Sequence, residues 1–225
     1  MKNYRIFLLL FFIMLGQQLV AQTEVKKPSE VFNMYFETFV NNDDIALDKL
    51  NDYLRPTVEG QNAYQVNFKE TSEEMLSSTV ENFLSAFSKT TASACKKEAK
   101  DYFTAMFENF KIAKLTIKNV NVVPNEYIEN EKIAEIKYIV SFKVPSKLMT
   151  GPAGDPQKVK AEELKKYLVL AVQDFKNADK TVQIEQEFSL YELKQDNKIY
   201  YWNGSPDQIV STLTDFYLES FGSNE

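Results

Sequence analysis

The stretch Ile133-Ala134-Glu135-Ile136-Lys137-Tyr138-Ile139-Val140-Ser141-Phe142-Lys143-Val144 decides the fold. Its even positions, Ala134, Ile136, Tyr138, Val140, Phe142 and Val144, are apolar, whereas Glu135, Lys137, Ser141 and Lys143 fall mainly on the other side. A period of two held this long predicts a β-strand with one face in a core and one in water, the usual state of an antiparallel strand. Pro145 ends it.

Outward from this strand the same period recurs. Before it, Ala113, Leu115 and Ile117 alternate with Lys114, Thr116 and Lys118, and the apolar phase then slips by one to Val120 and Val122, predicting a bulge near Asn119. After it, Gly151, Pro152, Gly154 and Pro156 mark a loop, and Leu164, Tyr167, Leu168, Ala171 and Phe175 recur at helical spacing, so a helix over about 157–177 is inserted between strands. Thr181 to Leu193 reads as a long strand, folded back by the Gln195 to Lys198 turn into Ile199 to Trp202. Ser205, Pro206 and Gln208 supply an N-cap, a first-turn proline and the third capping-box position for a last helix through Tyr217.

Upstream of Lys111 the period is near 3.6. Phe32, Tyr35, Phe36 and Phe39 give a helix from Pro28 to Val40, and a second covers Ile45 to Leu54, stopped where Pro56 disfavours helical geometry at Arg55. Thr71 and Glu74 have capping-box spacing before a third helix with Leu76, Val80, Phe83, Leu84 and Phe87. A fourth runs from about Ala94 to Phe110, with Cys95, Ala99, Tyr102, Phe103, Met106 and Phe110 on one face. A block of helices followed by a meander of long strands predicts an α+β fold: N-terminal helices packed on a curved antiparallel sheet, with an inserted helix and a C-terminal helix.

That order of elements, with Phe32, Tyr35 and Phe36 on the first helix, the Asn42-Asp43-Asp44 break and the closing Asn197-Lys198-Ile199-Tyr200-Tyr201-Trp202 strand, resembles the nuclear-transport-factor-2-like cone. The resemblance covers about residues 28–203 in outline, and the helices at 157–177 and after 205 depart from it. It implies a sheet wrapped around helices with a pocket between. No catalytic residue carries over, because the histidine and aspartate pairs of the family's dehydratases have no counterpart here, and a shared fold does not by itself supply a function.

Residues 1–21 read as a signal peptide, with residues 22–225 as a single α+β domain. Lys2 and Arg5 precede an apolar run from Ile6 to Leu15, and Ala21 offers a small residue at a cleavage point. The run is too short to span a bilayer, so the expected product is exported, periplasmic or extracellular, with no stable membrane insertion after processing. Without Lys2 and Arg5, 24 basic residues face 32 acidic ones, a formal charge of −8. Nucleic acid is thereby disfavoured as a partner. Cys95 is the only cysteine, so no internal disulfide forms, and its place in an apolar stripe predicts a buried, inert thiol.

The chain contains no histidine, which removes serine–histidine and cysteine–histidine nucleophile pairs and histidine metal sites. There is also no glycine-rich phosphate loop, paired-cysteine motif or calcium loop. No cofactor, metal site or catalytic residue is expected. Three uncharged polar residues, Asn119, Tyr138 and Gln186, are the candidate ligand-binding set, because Tyr138 and Gln186 interrupt apolar rows on the inner sheet face and Asn119 falls at the bulge. The same groups also fit a closed core in which each is paired. Glu185 and Glu187 share the opposite face, as carboxylates of a solvated sheet surface or an acid–base pair, and Asp44, Asp48 and Asp52 line one helix face. Arg55, the only arginine beyond the leader, complements a helix C-terminus or holds an anion. On the last strand Tyr201 faces opposite to Tyr200 and Trp202, one side for the core and the other a possible binding surface. The pattern predicts a non-enzymatic protein binding a small apolar ligand or an envelope protein. An isomerase or hydrolase using Glu or Tyr, and a structural envelope-assembly factor, are the alternatives.

Overall fold

The computed structural model describes residues 25–149 and 151–222, so residues 1–21, expected from the sequence to be a signal peptide, lie outside the described residues. Four strands form one antiparallel sheet in the order β1-β2-β3-β4: β1 (Lys114–Pro124), β2 (Lys132–Val144), β3 (Lys180–Gln195) and β4 (Lys198–Trp202). The helices are α1 (Pro28–Phe39), α2 (Asp44–Leu54), α3 (Phe68–Ser85), α4 (Lys89–Lys111), α5 (Ala161–Lys176) and α6 (Asp207–Gly222). The fold is α+β, with the first four helices ahead of the sheet, α5 inserted between β2 and β3, and α6 closing the chain.

Register follows the sequence pattern. Every even residue from Ala134 to Val144 is buried, and the β1–β2 register shifts between Ile117 and Asn119, where the phase slip places the bulge. Asp196 and Asn197 both have positive φ, 51° and 60°, the left-handed pair that a two-residue hairpin turn requires. On the outer face Lys137 pairs with Glu187 at 2.8 Å, both side chains more than half exposed, a surface pair worth about 0–1 kcal/mol. Glu185 and Glu187 are therefore carboxylates of a solvated face.

The inner face is covered by helices. α1 lies on β1, β2 and β4, α4 on β2, and α6 on β2 and β3, while α2 packs on α1, and α3 and α5 pack on α4. Under α1 the packing is ring on ring: the Phe32 centroid is 4.7 Å from Tyr138 and 5.3 Å from Phe188. Under α4 and α6, Phe142 of β2 lies 5.3 Å from Phe110 and 5.2 Å from Tyr217. One apolar cluster draws on every helix and strand, and Cys95 is buried in it with its Sγ 3.4 Å from the Ala161 carbonyl oxygen.

Several helix boundaries differ from those expected, among them the inserted helix, which starts at Ala161 after a separate short turn at Pro156–Lys158. α3 starts at Phe68, not after a Thr71 cap, because Asn67 Oδ1 accepts from the Glu70 N–H at 3.2 Å and Phe68 is buried. α4 starts at Lys89, capped by Ser88 Oγ on the Thr91 N–H, and the Thr91 hydroxyl donates to the Val159 carbonyl at 2.9 Å. That tertiary bond favours a helical turn that threonines alone disfavour. α6 continues past Tyr217 to Gly222, where Phe221 meets Phe175 and Tyr217 at 5.2 Å each.

Candidate functional site

The structure brings Tyr138 and Gln186 together and sends Asn119 away. Tyr138 and Gln186 are direct cross-strand partners on the inner face. Tyr138 is 2 % exposed under Phe32, and burial pushes its hydroxyl up to about 12, whereas Gln186 is half-buried. Asn119 pairs with Lys137, an outward residue, and is itself exposed. The bulge takes up Lys118 as the extra residue and turns Asn119 to the water side, so the three do not share an inner surface.

The most enclosed apolar space among the cavities described lies elsewhere, between helices. It has a volume of about 660 Å³, within the range of roughly 300–1,000 Å³ usual for small-molecule sites. α3 contributes Phe68, Met75, Thr79 and Phe83, α4 contributes Phe103, Met106, Phe107 and Phe110, and α6 contributes Val210, Thr214, Tyr217, Leu218 and Phe221. Phe39, Val40 and Asn42 at the end of α1 also border it.

Each helix reaches this space because it carries two adjacent apolar stripes. On α3, Val80 and Leu84 point into the core, and Met75, Thr79 and Phe83, one position ahead at the same spacing, point into the cavity. On α6, Ile209, Leu213 and Tyr217 are core residues, while Val210, Thr214 and Leu218 border the cavity. Met75 remains 47 % and Leu218 42 % exposed, which places large apolar side chains at the mouth. Of the tyrosines in the wall, Tyr217 is tied back. Its Oη donates to the Met106 carbonyl at 3.2 Å, and the Tyr102 ring lies 6.4 Å from that of Tyr167. Burial holds both hydroxyls well above the ordinary phenol range.

Lys111, in the last turn of α4, is the one charged residue among the described residues lining the cavity. Its ammonium meets Glu108 at 3.1 Å, and its side chain is 23 % exposed against 66 % for Glu108. A larger space of about 760 Å³ runs along α4 and α5, but Glu98, Asp101 and Glu108 border it and Val169 stands 51 % exposed beside it, so it is a wet surface groove.

A second polar centre was not legible as such. Tyr35 and Tyr64 share a hydrogen bond at 2.9 Å, and the Asn203 N–H donates to Tyr35 Oη at 2.9 Å. Asn51 holds the Tyr64 backbone in both directions at 2.9 Å, and Asn203 Nδ2 donates to the Ser189 carbonyl at 2.7 Å. This network joins α1, α2 and the loop after it to the β4–α6 connection. Burial drives the Tyr35 hydroxyl far above its ordinary range, away from neutrality and so in the wrong direction for acid–base work near pH 7. Tyr53, which accepts from the Tyr201 N–H at 2.8 Å, is pushed up to about 12 by burial.

The remaining candidates have structural partners. Arg55 pairs with Asp52 at 2.8 Å and donates to Asn62 at 3.2 Å, next to the end of α2. Tyr201 is turned inward and buried, and Trp202 is turned outward and 37 % exposed. Among the described residues no group of three or more His, Cys, Asp or Glu could hold a metal ion, and no helix is long and apolar enough to cross a membrane. The chain matches no protein-family model, no curated protein and no solved structure.

Proposed function

We propose that this protein binds a small apolar ligand in the cavity between α3, α4 and α6, as a non-enzymatic carrier or receptor exported by its leader. The observation that carries the reading is a ligand-sized space whose described wall is mainly aromatic and aliphatic, with Met75 and Leu218 exposed at its mouth. Leaving such surface unfilled forgoes about 25 cal/mol for every Å² that an occupant would remove from water. No carboxylate is among the described lining residues, which weighs against an isomerase or hydrolase that would work in the same pocket. The helices-then-meander order remains in keeping with a nuclear-transport-factor-2-like cone, with the cavity opening among the helices rather than against the sheet.

Titration with the neutral fluorophore Nile red tests the reading. One saturable site is expected, lost in both Thr79→Phe and Thr214→Phe, which fill the cavity from different helices. Circular dichroism and thermal melting should show both variants folded. Absence of saturable binding, or binding that survives both substitutions, overturns it.

A further inference from the structure

The cavity is mainly apolar, and its one described cation stands towards one end. A three-residue connection, 86–88, makes α3 and α4 a helical hairpin, so the first turns of α3 lie beside the last turns of α4. Thr71 and Ser72 of α3 and Lys111 of α4 therefore border the same end of the space, with Phe83 and Phe103 towards the other. The Lys111 side chain is mostly covered, and its ammonium meets a largely exposed carboxylate, an arrangement in keeping with long cationic side chains that bury their methylenes and keep the charge near water. Its present partner, Glu108, is a mostly exposed carboxylate three residues away, and such pairs are worth little.

We infer that the ligand is a single-chain amphiphile with one anionic head, a free fatty acid in chemical class, whose carboxylate replaces Glu108 on Lys111 while its chain lies among Met75, Phe107 and Phe110. This assignment rests on the ligand-binding reading above. Charge complementarity supports it: the described wall holds one cation and no anion, and hydroxyls of Thr71 and Ser72 stand on the same side as further donors. The volume suits one drug-sized molecule, so a free acid is favoured over a two-chain lipid held in a membrane. A purely structural role for Lys111, complementing the negative end of the α4 dipole, predicts no ligand discrimination at all.

Calorimetric titration of the processed protein with laurate below its micelle concentration and dodecanol below its solubility limit separates these roles. Laurate should bind about tenfold more tightly than dodecanol, the scale of one charge-assisted hydrogen bond in a partly desolvated site. Lys111→Met should abolish that preference, and Glu108→Gln, which frees the ammonium, should tighten laurate about twofold. Equal binding of the two compounds, or a preference that survives Lys111→Met, overturns the inference while the apolar cavity stands. Binding of neither compound overturns both. Sedimentation with phosphatidylglycerol vesicles that captures the protein through Lys111, without binding of free laurate, assigns the lysine to a membrane surface and likewise overturns the inference.

Discussion

The sheet face beneath α1 and the space between α3, α4 and α6 are built from the same kinds of side chain, yet one is closed and the other open. Beneath α1, Phe32 sits directly on Tyr138 and Phe188 at ring-centroid distances of 4.7 and 5.3 Å, and Phe32 and Tyr138 are almost wholly buried. Beneath α3, Phe83, Phe107 and Phe110 are only partly buried around about 660 Å³ of space. The cause is layering. α1 rests on the strands themselves, whose inward side chains fill the gaps between its own, whereas α3 is a second-layer helix whose main partner is α4 alone. A helix held along one line leaves the far side of its apolar arc uncovered. What closes a surface is the number of elements that converge on it, not its hydrophobicity.

The sharpest way to break this comparison is truncation on each side. Phe32→Ala should cost about 3–5 kcal/mol in denaturant unfolding, because it opens a void against the two close rings of Tyr138 and Phe188. Phe107→Ala at the cavity wall should cost about 1 kcal/mol, since one side of its ring already lacks partners. Equal losses would show that the two regions are packed alike.

Alkaline titration comes next in size. Tyr53 and Tyr138 are held protonated by burial to about 12, above the ordinary value of 10.0. The native state keeps its protons where the unfolded chain loses them, so their contribution is fully present below pH 10 and lost as pH rises through about 12. Unfolding followed by phenolate absorbance should show that decline, and Tyr138→Phe should flatten it. An unchanged decline would place the Tyr138 hydroxyl in contact with solvent.

Filling should have the opposite sign on the open side. Thr79→Phe is expected to raise stability by about 0.5–2 kcal/mol while removing ligand binding, the behaviour of a space kept empty for use. A large loss of stability would show instead that the cavity wall is already tightly packed. The smallest effect expected is for Tyr64→Phe, about 1 kcal/mol, because it removes a hydroxyl from the Tyr35–Asn203 network at a half-exposed position. Ligand affinity should not move, since Tyr64 is not among the described residues lining the cavity.

The polar residues on the sheet were legible as breaks in an apolar row, and Tyr138 and Gln186 do lie on the inner face; that they face each other across β2 and β3 is a matter of register that only the structure shows. Asn119 was not, because a bulge reverses the direction of every residue after it and its location to within one residue decides which face an asparagine takes. The cavity had a faint signal in the sequence. Phe107, next to Phe103 and Phe110, widens the apolar arc of α4 beyond its core stripe, and Met75 does the same beside Leu76 on α3. Such an arc says that something must cover it without saying what. The Tyr35 network left no signal, because Tyr35, Tyr64 and Asn203 are far apart in the chain and only the fold brings their polar atoms together.

By itself the sequence determined the kinds of element, their order and the buried face of the strands, because periods of 3.6 and 2 are local consequences of backbone geometry. It also determined what chemistry is absent: without histidine and with one buried cysteine, whole classes of nucleophile and metal site have no residues to work with. Tertiary structure alone decided which apolar faces meet and which stay apart. That depends on how many elements reach a given surface, a long-range outcome of packing that no local pattern contains. The closed floor under α1, the open space under α3 and the ammonium of Lys111 at its rim are set at that level.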